Sequence, residues 1–279
     1  MVHKGYSQYL SCKVVGLSRS AYRRRKVLRA QRLQTPKDRP HALLIEWMVS
    51  FANEHRRWGY RRALVQARAA GFTVGRDTFR RLWRQENLRV FPRKRKKKKL
   101  DRQPMPRNAP ASAPGQVWAV DFQFDSDFNG RQFKVCNVID EFTRQHIAFS
   151  VDRSIKAIDV IELLDIAVLT HGGPQVLRMD NGPEFISENL KSWSEEQELV
   201  QAFIPTGQPW HNGFVESLHN RMRDELFEDN VFFSLEDVKQ RIEWWSFRCN
   251  KEHPHSALGY QTPNAFAEQW NKNKQLATA

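Results

Sequence analysis

Cysteine is scarce in this chain, and so are long apolar runs. Three cysteines, Cys12, Cys136 and Cys249, are spread over 279 residues. An odd number so widely spaced supports neither a disulfide framework nor a thiolate zinc site, so small buried thiols are the expectation. No stretch approaches the roughly 18 consecutive apolar residues that a membrane span needs. The opening MVHKGYSQYLSC lacks the apolar core of a signal peptide. The expectation is a soluble intracellular protein with no membrane partner.

Acidic residues are the third scarcity, and this one is local. Residues 1 to 113 hold 30 Lys and Arg against 6 Asp and Glu, a net of +24, whereas residues 114 to 279 hold 15 against 25, a net of −10. The front of the chain is built for a polyanion and the back is not. With 40% apolar residues, the chain is long enough to bury a core in one or two domains.

What is present is organised around residues 177 to 225. The run from Gln175 to Met179 reads as a short buried strand, bounded by Gly172-Gly173-Pro174 and Asn181-Gly182-Pro183. Asp180 therefore stands at a strand's carboxyl end, the usual edge of a site in an open α/β sheet. Thirty-five residues lie between it and Glu216. Around that Glu the spacing is helical, with Val215, Leu218, Met222 and Leu226 on one stripe and Asn212, Glu216, Asn220 and Arg223 on the other.

In chain order, residues 1 to 40 read as a partial helix-turn-helix or a basic arm. Residues 41 to 92 read as three helices, the last of them Arg-rich: Phe79, Leu82 and Trp83 face inward while Arg76, Arg80, Arg81 and Arg84 face out, as on a helix laid in a major groove. Residues 93 to 114 read as an extended basic linker, in which Lys96, Lys97, Lys98 and Lys99 gain affinity for a phosphate backbone by releasing counterions. From Gln116 to about residue 270 the order is βββαβαβα, and residues 271 to 279 form a tail. That order implies an α/β fold: three antiparallel strands extended by crossover-connected parallel strands, with helices on both faces.

Asp121 is the odd residue of the first strand, a carboxylate among Trp118, Val120, Phe122 and Phe124. If that strand lies beside the one ending at Asp180, the two carboxylates face each other and Glu216 reaches them from its helix. Three such groups raise one another's pKa, a conflict that a hard, oxygen-seeking cation removes, Mg²⁺ first. Asp125 and Asp127, which flank a turn, and Asp140, which opens the second connection, read as structural. The histidines show no shared metal spacing. Trp244-Trp245 reads as core.

WAVDF at 118–122, VIDEFTR at 138–144, MDNGPEF at 179–185 and HNGFVESLHNRMRDE at 211–225 resemble the catalytic core shared by retroviral-type integrases and the transposases of IS3-family insertion sequences. HPHSALGYQTPNAFA at 253–267 resembles the closing segment of that core, and HRRWGYRR at 55–62 the helical domain that precedes it. The resemblance implies a ribonuclease H-like fold and metal-dependent DNA strand cleavage and transfer at element ends, with Mg²⁺, or Mn²⁺ in its place, as cofactor. It implies that Asp121 bridges two metals, that Asp180 and Glu216 hold one each, and that Arg223 contacts the terminal phosphates. It also implies double-stranded DNA as partner, a homo-oligomer on DNA, a bacterial cytoplasmic setting and an upstream reading-frame product, this chain being similar to the second product of such elements. The competing readings are a non-catalytic DNA-binding relic or regulator and a generic metal nuclease.

Overall fold

A computed structural model describes residues 41–90, 111–205 and 212–278. The arm expected at 1–40 and most of the basic linker, Lys96 to Lys99 included, lie outside the described residues. The chain divides into two compact units between Pro92 and Arg93.

The first unit is helical: α1 (Ala42–Glu54), α2 (Tyr60–Ala69) and α3 (Arg76–Gln85). Its core unites Leu44, Ile45 and Met48 of α1, Ala63, Leu64 and Ala67 of α2, and Phe79, Leu82 and Trp83 of α3. Each triplet is spaced for one helix face, so three faces close on one another and the arginines between them are left outside. His55 stacks on Trp58, with ring centroids 4.5 Å apart, in the α1–α2 connection.

The second unit is built on five strands: β1 (Val117–Ser126), β2 (Gln132–Asp140), β3 (His146–Asp152), β4 (Val176–Met179) and β5 (Val200–Phe203). They lie in the order β3-β2-β1-β4-β5. β1 pairs antiparallel with β2 and parallel with β4. The β1–β2 connection is a tight turn at Asn129-Gly130, with Gly130 at positive φ. α4 (Ala157–His171) links β3 to β4, and α5 (Glu188–Glu196) links β4 to β5. α6 (Gly213–Met222) runs into one π-helical turn (Arg223–Phe227), and α7 (Leu235–Lys251) and α8 (Pro263–Thr278) follow. Residues 271–278, expected as a tail, thus continue the last helix, which Phe266 and Trp270 anchor through the ring of Phe142.

Strand alternation divides the core between the two faces of the sheet. Trp118, Val120, Cys136 and Val138 pack with Val160 and Leu164 of α4 and Leu190 and Trp193 of α5. On the opposite face Ala119, Phe133, Val135 and Ile139 pack with Val215, Leu218 and Met222 of α6 and Ile242 and Trp245 of α7. Helices cover both faces, as the element order implies. Of the tryptophan pair, Trp245 is buried but Trp244 is 61% exposed, stacked on Phe247. Adjacent positions on a helix point about 100° apart, so one of the two must leave the core.

Candidate active site

β1 brings its odd-numbered residues Asp121, Gln123 and Asp125 to the face that α6 covers, and α6 with its π-turn meets each of them. The Asn212 amide donates to Asp121 Oδ2 at 3.3 Å. Gln123 Nε2 donates to the backbone carbonyl of His219 at 3.0 Å. Arg223 donates to Asp125 Oδ2 at 3.0 Å and to the carbonyl of Phe124 at 2.8 Å. The polar face of α6 that carries Glu216 is thereby pinned along β1.

Asp121 is half-buried, and Oδ1 accepts the Phe122 N–H at 2.7 Å. Burial pushes its carboxyl up to about 7, and the charges of Asp180 and Glu216 add to the rise against the Phe122 and Asn212 hydrogen bonds. The three sequence-predicted acids are thus close enough to repel. Among the described residues, no group of three or more His, Cys, Asp or Glu side chains is placed to hold a metal ion. The donor set, three carboxylates of which one is held against its burial, suits a hard divalent cation.

Asp180 follows β4, which lies in parallel register with β1, Ala119 opposite Arg178. Asp180 Oδ1 accepts the N–H of Gly182 at 2.9 Å. A Cβ on Gly182 would stand 3.0 Å from that same oxygen. The glycine of MDNGPEF is therefore required by close approach to the carboxylate, and its φ lies outside the left-handed region. Three further ties fix the loop. Asn181 donates to the Ile204 carbonyl at 2.7 Å, Phe185 stacks on Phe122 with ring centroids 4.7 Å apart, and Lys134 pairs with Glu184 at 2.5 Å. Lys134 lies with its ammonium 3.5 Å from the Phe122 ring centroid, and it holds Glu184 below the usual carboxylate range against that group's burial.

The VIDEFTR turn explains itself in structural terms. Asp140 Oδ1 accepts from the backbone of Phe142 and Thr143 and from the Thr143 hydroxyl, and Oδ2 accepts from Gly115 N–H at 2.7 Å. Glu141 accepts two hydrogen bonds from Arg178 of β4, at 2.7 and 2.9 Å. Burial pushes Glu141 up, to about 7, against the pull of Arg178 and Arg144. The Arg144 guanidinium lies 3.9 Å from the ring centroid of Phe214, two residues before Glu216. Asp127, also expected to be structural, pairs with Arg153 at 2.5 Å and Arg131 at 3.2 Å. Asp125, in contrast, holds Arg223.

In the helical unit Arg80, Arg81 and Arg84, three of the four expected arginines, line open grooves beside α3, while Arg76 lies 3.6 Å from Asp77. One of about 370 Å³ is lined by Asp77, Arg80, Arg81, Arg84 and Gln85. The other, about 270 Å³, adds Tyr60, Trp83 and Arg89 to Arg80 and Arg84. Tyr60 was not singled out by sequence; its ring has the Arg61 and Arg80 guanidinium carbons at 5.9 and 5.7 Å from its centroid.

Residues 111–209 and 197–263 match models of the integrase core domain. The insertion element IS407 uncharacterized 31.7 kDa protein of Burkholderia multivorans is 33% identical over 94% of this chain and 90% of its own length. The insertion element IS476 uncharacterized 39.2 kDa protein of Xanthomonas euvesicatoria is 33% identical over 95% and 73%. The chain belongs to the insertion-element transposases built on an integrase core domain. Its fold is shared by the transposase's structural neighbour, the simian T-cell lymphotropic virus intasome in complex with PP2A regulatory subunit B56 gamma, determined by cryoEM. That likeness has a TM-score of 0.52 and 15% identity over 79% of this chain and 74% of that one. The five-stranded mixed sheet of the transposase is accordingly ribonuclease H-like. Among its described residues no helix is long and apolar enough to cross a membrane.

Proposed function

We propose that this transposase cuts and joins DNA at the ends of an IS3-type insertion sequence, with Asp121, Asp180 and Glu216 as the ligands of a divalent cation pair. What supports the reading is that Asp121 is half-buried on β1 and that burial, with the charges of Asp180 and Glu216 adding to it, pushes its carboxyl up to about 7. A bound cation relieves the repulsion among such carboxylates. Mg²⁺ fits the all-oxygen donor set and Mn²⁺ is its natural substitute.

When bound, the cation pair polarises the scissile phosphate, activates water and then a 3′-hydroxyl, and stabilises the leaving oxygen. The chain supplies placement. Phe122 N–H and the Asn212 amide orient Asp121, Gly182 N–H orients Asp180, and the ties between α6 and β1 carry Glu216. Arg223, now forked between Asp125 and the Phe124 carbonyl, has the geometry to exchange that carboxylate for a terminal phosphate. Arg76, Arg80, Arg81 and Arg84 of α3, with Lys96 to Lys99 of the basic run, bind the phosphates of double-stranded DNA. A homo-oligomer that brings two element ends to one target, and an upstream reading-frame product that helps find those ends, complete the assembly.

The test is joining of a labelled end substrate in Mn²⁺ by Asp121→Asn, Asp180→Asn and Glu216→Gln, beside an active wild-type protein. Each should be inactive and should still bind DNA. Near wild-type joining by any one removes that residue from the ligand set, and DNA binding without any wild-type joining would favour a regulator.

A further inference from the structure

Behind Asp121 the sheet face that should be wholly apolar contains a line of polar side chains. Asp121 and Asn137 are cross-strand partners in the β1–β2 ladder. Asn137 is completely buried and His146 nearly so, among Phe133, Val135, Ile139, Val151 and Leu218. Burying an amide and two imidazoles there costs several kcal/mol unless every polar atom finds a partner. Most of these atoms find partners, in a chain. His219 Nε2 lies 3.1 Å from Asn137 Nδ2. Asn137 Oδ1 lies 3.1 Å from His146 Nε2, and His146 Nδ1 lies 2.9 Å from Ser246 Oγ on α7. Asn250 clamps the backbone of His146 on both sides, accepting from its N–H at 2.8 Å and donating to its carbonyl at 2.9 Å.

An amide donates at one end and accepts at the other, so Asn137 gives the chain a direction. With its NH₂ toward His219, the Nε2 of that ring is the lone-pair nitrogen and the proton sits on Nδ1. Nδ1 stands 3.9 Å from Asp121 Oδ2, beyond direct hydrogen-bond distance but near enough for the ring's polarity to act on the carboxylate. The carbonyl of Asn137 then accepts from His146 Nε2–H, and His146 Nδ1 accepts from the Ser246 hydroxyl. Reversing the amide would turn the His219 lone pair onto an acceptor oxygen of Asp121, so the first arrangement is favoured. The His146 ring suits it, because burial lowers it to about 3 and leaves it neutral near pH 7.

We infer that Asn137 and His219 are positioning residues for the Asp121 carboxylate: the buried amide fixes the tautomer and plane of the His219 ring, which with Asn212 orients Oδ2. The inference rests on the reading of Asp121 as a metal ligand. Groups that orient a metal ligand are typically worth 10- to 100-fold in metal affinity.

The experiment uses the full chain without DNA and reads Mn²⁺ binding by calorimetry, together with the Mn²⁺ needed for half-maximal joining. Asn137→Leu, nearly isosteric but without the amide that meets His219 and His146, should raise both by about tenfold while DNA affinity stays unchanged. Should that variant not fold, His219→Leu and His219→Asn decide. The first should show the same loss, and the second, which returns an N–H donor near the original Nδ1, should recover most of it. A folded Asn137→Leu with wild-type Mn²⁺ affinity, or equal losses in the two His219 variants, overturns the inference. Asp121→Asn separates the two claims. If it joins normally, the ligand reading itself fails; if it is inactive while Asn137→Leu binds Mn²⁺ normally, only the positioning role fails.

Discussion

Replacing Gly182 by alanine separates the placement of Asp180 from the stability of the fold. The added methyl would stand 3.0 Å from Asp180 Oδ1 and 3.5 Å from both Glu184 Oε2 and Phe185 Cδ2. Only the first contact is too tight, and relief requires a shift of a few tenths of an ångström or more. The loop has little freedom to make it, since the Asn181–Ile204 hydrogen bond, the Phe122–Phe185 stack and the Lys134–Glu184 pair hold it on three sides. The Asp180 carboxylate is therefore what moves, and it gives up the Gly182 N–H as it does so. Gly182 does not lie in the left-handed region, so alanine adds no backbone strain. Loss of glycine's freedom in the unfolded chain instead favours folding by about 0.4–1 kcal/mol. A ligand misplaced by a fraction of an ångström to 1 Å costs roughly 10- to 100-fold in rate. Thermal unfolding with a strand-joining assay reads both: Tm should be unchanged or up by about 2–4 °C, and joining should fall by about one to two orders of magnitude. Joining within twofold of wild type refutes the argument. So does a loss of joining accompanied by a fall in Tm of more than about 5 °C, because the loop would then have unfolded rather than displaced one carboxylate.

Arg178→Met should destabilise by about 3–5 kcal/mol, since it strands Glu141 as an unpaired buried acid; urea unfolding should show that the added change Glu141→Gln restores most of the loss. His146 is held neutral by burial, at about 3, against an unfolded value near 6.5. Its folded value is depressed, so the stability it confers is complete above about pH 6.5 and declines as pH falls toward 3, by roughly 1.4 kcal/mol per pH unit. His146→Asn should flatten that part of the stability–pH curve as measured by urea unfolding. Replacing Arg80 and Arg84 by alanine in the full chain should weaken DNA binding uniformly across sequences and reduce the slope of log affinity against log salt by about 1 for each phosphate no longer neutralised. An unchanged slope would mean that the α3 arginines do not face the backbone.

Much of this architecture was legible in the sequence because it rests on short-range pattern. The strand positions of β1 to β5 follow from apolar runs between turn residues, and the order of elements constrains the sheet to few topologies. The ends of α3 and the apolar stripe of α6 follow from the same 3.6-residue period. Asp121 stood out for the opposite reason, as a charge where the pattern demanded an apolar residue. What the chain order conceals is which side chains meet across it. Nothing in the sequence marks Lys134, yet it is buried against Phe122 and Glu184. Asn137 and His146 sit in runs that look uniformly buried, and only the β1–β2 and β2–β3 registers show that they form one chain with His219. Asp125 reads as a turn former, but it receives Arg223. The helix over residues 235–251 was hidden by its charged outer face, and that over 263–278 by a sparse apolar stripe.

The contacts that pin α6 to β1 join residues 91, 96 and 98 positions apart in the chain. Every one of the five strands is complete before Asn212 is made. During synthesis from the N-terminus, a sheet bearing Asp121 and Asp180 can therefore exist while the third acid and the clamps that orient the first are still missing. A nascent chain ending before Asn212 would hold Asp121 and Asp180 but neither Glu216 nor the Asn212, His219 and Arg223 contacts to β1. On the proposed ligand assignment, the last of the three acids is thus tied back across the fold by contacts that form only after the sheet strands have been made.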